Sequence, residues 1–97
     1  MTLGKKIKEL RESSGLLQRE LASKLDIGEG FLSKIENDQK NLKREDLGKI
    51  SKIFKTSINE LEKLWLANKL YCIVRDEKQG LNALRVAENE IIYNKKH

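Results

Sequence analysis

The stretch LQRELASKLDIGEGFLSKIEN, Leu17 to Asn37, constrains the fold more than any other part of the chain. Leu21 and Leu25, with Leu17 just ahead, lie on one helical stripe, and Leu32 and Ile35 lie on a second. Only Asp26, Ile27 and Gly28 stand between the two runs. The pattern predicts two short helices, about Gln18 to Leu25 and about Glu29 to Asn37, joined by a tight turn. The second is unusual: it opens with Glu29 and Gly30, poor material for an isolated helix, and little of it is apolar.

Two short helices joined in this way form a helix-turn-helix. A second helix that lies shallow on the surface, with its outer face free to enter a groove, resolves the puzzle. Its outward residues are then chosen for contact and not for helix propensity, and a glycine at position 30 lets the backbone approach closely. The turn needs a residue tolerant of positive φ, which Asp26 accepts better than most non-glycine residues. Ala22 is small where a crossing helix would come near. Gly28 is an unexceptional N-cap.

Other helices flank this unit. Leu3, Ile7 and Leu10 form one stripe of a first helix, with Thr2 as N-cap. Gly15 fits the residue past its end, with Leu16 packing back. After the polar loop NDQKN, Leu47, Ile50, Ile53 and Phe54 mark a fourth helix, with Glu45 and Asp46 favourable in its first turn. In SINEL, Ser57 and Glu60 have the spacing of a capping box. The fifth helix that starts there could reach Arg75. It carries Leu61, Trp65 and Cys72 on one flank and Leu66, Leu70, Ile73 and Val74 on another, so one face needs a cover beyond the helices before it. Leu81, Leu84, Ala87 and Ile91 suggest a sixth helix, with YNKKH as a frayed end. The absence of proline suits an all-α fold.

Net charge is +5 and pI about 9.4, which favours an anionic partner. No apolar run approaches the ~20 residues of a membrane span, and no apolar leader opens the chain. A cytoplasmic protein without a membrane partner is expected. His97 and the single cysteine, Cys72, do not make a metal site, and Cys72 is expected to pack in a helix. No Gly-rich phosphate loop or carboxylate dyad stands out. Neither an enzyme, a cofactor nor a small-molecule ligand is expected.

The ordered marks LR, GLLQRELA, LSKIEN and SINEL, over roughly residues 3 to 62, closely resemble the phage repressor/Cro-like helix-turn-helix family of the xenobiotic-response-element type. The resemblance implies a lambda-repressor-like domain of five helices, residues 1–62, with additional C-terminal helices over 63–97. It places helix 3 in the major groove of DNA. Carried over by position, Gln18 bonds a phosphate from the start of helix 2. Glu29, Gly30, Ser33 and Lys34 face base edges or adjacent backbone. Asn37, Lys40, Lys43 and Arg44 approach phosphates. Arg11 and Glu36 match a pair that in some relatives forms an ion pair beneath the surface. The family usually has glycine where Asp26 stands, and Ser or Thr is common where Gly28 stands.

Chemistry sharpens this set. A carboxylate at Glu29 can accept from cytosine N4, and Lys34 can reach guanine O6 or N7. Phe31 could touch a thymine methyl. Against these, Glu29 also suits a solvated first turn, and Phe31 could pack on helix 2. The resulting expectation is a sequence-specific regulator bound to double-stranded DNA as a homodimer on palindromic operators, with a restriction–modification controller as the narrower form. Leu66, Leu70, Ile73, Val74, Leu81 and Leu84 are its expected dimer surface. Two alternatives remain open: helix 6 folds back over the stripe within one chain, or the C-terminal helices bind another protein, as in an antitoxin or an interaction module.

Overall fold

Local chemistry sets the helix boundaries. In the computed structural model, which describes residues 1–96, the chain forms α1 Leu3–Ser13, α2 Gln18–Leu25, α3 Glu29–Glu36, α4 Arg44–Phe54, α5 Ile58–Val74 and α6 Gly80–Lys96. The fold is all-α among the described residues. Thr2 caps α1: its Oγ1 accepts the Lys5 N–H at 3.1 Å. At the other end Gly15 takes φ +71°. The Leu16 N–H then donates to Arg11 O at 3.1 Å and the Gly15 N–H to Glu12 O at 3.0 Å. These are the two bonds of a Schellman ending.

The same device closes α2 with an aspartate in the glycine's place. Asp26 sits at φ 56°, the Ile27 N–H donates to Ala22 O at 3.0 Å and the Asp26 N–H to Ser23 O at 3.1 Å. The left-handed turn thus forms without glycine. Gly28 begins α3 with no side-chain cap. Ser57 caps α5, its Oγ accepting the Glu60 N–H at 3.4 Å. The Glu60 carboxylate, however, turns outward to Lys63 at 2.8 Å, so the expected box gives one cap bond and an i,i+3 ion pair. A glutamate reaches back at α2 instead: Glu20 Oε1 accepts the Leu17 N–H at 2.8 Å.

One core joins α1 to the first half of α5. Leu3, Ile7, Leu21, Leu25, Leu32, Ile35, Leu47, Ile50 and Leu61 are sealed from solvent. Gly4 lies where α1 crosses the end of α3: a methyl there would overlap the Ile35 carbonyl oxygen, so the crossing requires glycine. Leu42, between α3 and α4, is also buried. Its carbonyl accepts the Trp65 indole N–H at 2.8 Å. The boundary expected after residue 62 therefore falls inside a continuous helix, and the core reaches past it to Trp65.

Beyond Trp65 the chain leaves the core. Leu66 and Leu70 are each 47% exposed and Ile73 is 70% exposed. Cys72 is exposed as well. This corrects its reading as a packing residue: α5 has run past the helices that could cover it. α6 turns back closely enough for a Gly80 methyl to overlap Val74 O, and Val74 and Leu84 are half-buried. Leu81 nonetheless stays 69% exposed. The alternative in which α6 blankets the stripe is not the arrangement found. α6 continues through Lys96, so Tyr93 to Lys96 extend the helix that was expected to fray. His97, considered above for a metal site, lies outside the described residues. Among the described residues no helix is long and apolar enough to cross a membrane.

Candidate nucleic-acid interface

α3 buries Leu32, Ile35 and Glu36. At a helical pitch of 3.6 residues per turn, Gly30, Lys34 and Asn37 then project from the opposite face. Ser33 and Glu29 lie along one side of that face and Phe31 along the other. Glu29, Gly30, Phe31, Lys34 and Asn37 are exposed and Ser33 is half-buried. Phe31 is 40% exposed, which leaves much of its ring available. Space around the Gly30 Cα is open, with nothing among the described residues within 4 Å of a Cβ placed there. Asn37 folds back on the helix, its amide donating to Ser33 O at 2.9 Å.

This face rests on a polar network. Arg11 Nε donates to Glu36 Oε2 at 2.7 Å and Arg11 Nη2 to Glu36 Oε1 at 3.0 Å. The pair is bidentate, the strongest geometry available to it. Arg11 Nη1 also donates to Leu16 O at 2.9 Å. The Glu36 side chain is only 1% exposed and that of Arg11 11%. The hydrogen bond to Glu36, more than its charge, raises the Arg11 pKa above its ordinary value against the opposing effect of burial. Gln18 Nε2 adds a third bond, to Glu36 Oε1 at 3.0 Å. Gln18 was assigned to phosphate from its family position, and here its amide nitrogen is engaged by Glu36. The network ties the start of α2 and the end of α1 to the end of α3.

The remaining site residues flank the end of α3. Lys40 is exposed in the loop, its backbone N–H donating to Lys34 O at 3.3 Å. Lys43 is the exposed N-cap residue of α4. Arg44 differs from both, because it faces α5: Nη2 donates to Glu62 Oε2 at 3.0 Å, and its guanidinium lies 5.4 Å from the Trp65 ring centroid. The sequence does not single out Leu42 or Gly4, and it marks Trp65 only as part of an apolar flank of α5. Trp65 Nε1–H had no partner visible in a linear pattern, and Gly4 is explained only by the helix that crosses it.

A surface-mounted short helix, held by a buried ion pair and flanked by lysines, defines a helix-turn-helix DNA-binding domain. The helix-turn-helix family profile matches residues 7–61, more than half of the chain. The chain belongs to the repressor/Cro-like helix-turn-helix family. The HTH-type transcriptional regulator ImmR of Bacillus subtilis (strain 168) is 39% identical over 61 residues, covering 63% of this chain and 48% of that protein. The chain thus spans about half the length of this relative. No solved structure matches it.

Proposed function

We propose that this protein is a sequence-specific transcription regulator that places α3 in the major groove and works as a homodimer on palindromic DNA. The observation that carries the DNA reading is the outward face of α3, where Glu29, Gly30, Ser33 and Lys34 stand on a helix fixed from beneath by Arg11 and Glu36. Lys40 and Lys43 add positive charge where the backbone would pass. The relative's name as a transcriptional regulator supports the regulatory role.

The open stripe on α5 supports the dimer. Leu66, Leu70 and Ile73 on α5, and Leu81 on α6, are apolar side chains left exposed among the described residues. Burial against a second copy is favourable at about 25 cal/mol per Å². Two-fold pairing would hold two copies of α3 about 34 Å apart, one turn of duplex. Control of a restriction–modification operon is the narrower form of this proposal, and promoter fragments from such operons are natural first targets.

Selection from a randomised duplex pool tests the reading. An enriched palindrome is expected. Lys34→Ala should relax preference at one position of each half-site by about 1–3 kcal/mol, whereas Lys43→Ala should weaken all duplexes alike. A pool that returns no consensus would refute sequence-specific binding. Sedimentation at micromolar concentration tests the pairing, and a clean monomer there would sink the dimer.

A further inference from the structure

The α4–α5 corner holds positive charge that the recognition surface does not account for. Trp65 is 7% exposed and anchored by its bond to Leu42 O. Two cations converge on its ring: Arg44 at 5.4 Å and Lys69 at 4.1 Å from the centroid. Their charges therefore lie no more than about 9.5 Å apart. Glu62 neutralises Arg44, but among the described residues no carboxylate pairs with Lys69. Elsewhere on the same helix Lys63 is matched by Glu60 at 2.8 Å. The Lys69 charge is thus held at the ring with no carboxylate among the described residues to neutralise it and is open to an anion.

We propose that Lys69 is a contact to the DNA backbone, carrying the phosphate-binding surface from Lys43 and Arg44 onto α5, with Trp65 as the residue that positions Lys69 and Arg44. The inference rests on the DNA-binding reading above. On that reading Lys43, the exposed N-cap residue of α4, borders the path of a strand, and Lys69 shares the Trp65 ring with its neighbour Arg44. The indole face holds the ammonium in place without neutralising it, and this leaves the charge available to a phosphate. The α5 extension thus contributes to the DNA footprint directly, independently of any role in pairing.

The test uses the full chain and a mixed-sequence duplex, with affinity followed by anisotropy against salt. Each phosphate contact adds about 0.9 to the magnitude of the log–log slope. Lys69→Gln should lower it by about one for each Lys69 that meets a phosphate, and Lys69→Arg should restore it. Lys63→Gln removes the same charge from another face of α5 and should leave the slope unchanged. Trp65 is the only tryptophan, so its fluorescence should change on adding duplex to wild type and change less with Lys69→Gln. Equal slopes for Lys69→Gln and Lys63→Gln, with Lys43→Ala still lowering the slope, would overturn this inference alone. A wild-type protein that binds no duplex would overturn it together with the reading it rests on.

Discussion

Leu61 and Leu70 belong to the same helix, yet Leu61 is sealed from solvent and Leu70 is 47% exposed. The first half of α5 lies against α1 and α4 and shares their core. The second half runs beyond that core toward α6, and its Leu66, Leu70 and Ile73 stay exposed. Helix propensity does not separate the two halves, because both are regular helix. What separates them is whether another element of the chain reaches their apolar side. The same contrast holds for charge. Arg11 and Glu36 are paired beneath α3, with one further bond from Arg11 to Leu16 O and one to Glu36 from Gln18. Glu60 and Lys63 are paired in open solvent on α5. One region is built to fix geometry, and the other presents surface.

The largest expected effect falls on the buried pair. Arg11→Ala strips the Glu36 carboxylate of its cation while the side chain stays buried, and the loss should be about 3–5 kcal/mol. Urea unfolding of the two single variants and the double variant measures the coupling. A coupling below about 0.5 kcal/mol, the value of an exposed pair, would show that α3 does not depend on this network.

Next in size is the contrast within α5. Leu61→Ala should cost about 2–5 kcal/mol by opening a cavity. Leu70→Ala should change the unfolding of the isolated chain by no more than about 0.5 kcal/mol. If α5 pairs with a second copy, Leu70→Ala should instead make stability less dependent on protein concentration, since association stabilises only the folded state. Equal costs for the two leucines at low concentration would break the comparison.

What the sequence made legible follows the range of the interactions. Gly15, Asp26 and Ser57 could be read because a turn or a cap is decided by residues a few positions away. Two flanks on α5 could be counted, so the excess apolar surface was visible, but periodicity alone did not choose between a second copy, α6 and another protein as its cover. Nothing local, though, says that Cys72 lies past the end of the core. Gly4 meets α3, and Trp65 meets Leu42, across chain separations that no periodicity records. Glu60 shows the limit of spacing as evidence: Ser57 and Glu60 have the box spacing, but Lys63 competes for the carboxylate and takes it. Arg11 and Glu36 were legible only through resemblance to a family, because two charged residues on separate helices carry no pairing signal of their own.

The smallest expected effect lies at that exposed pair, and pH separates it from the buried one. The hydrogen bond from Lys63, and then its charge, hold the Glu60 carboxyl below its ordinary value. With the folded pKa lower than the unfolded one, the unfolded chain binds more protons between the two values, so stability rises with pH through that window. The contribution is fully present above the ordinary carboxylate pKa and is lost as pH falls through the folded one. Arg11 behaves oppositely: its pKa is raised, so its contribution is present at neutral pH and on the alkaline side is lost only in strong alkali. Glu60→Gln should therefore be slightly less stable than wild type at neutral pH, and the gap should close in acid and shrink at high salt. Urea midpoints for both proteins, taken across pH at two salt concentrations, measure this. A gap that persists unchanged in acid would mean that Glu60 supports α5 through packing and not through its charge.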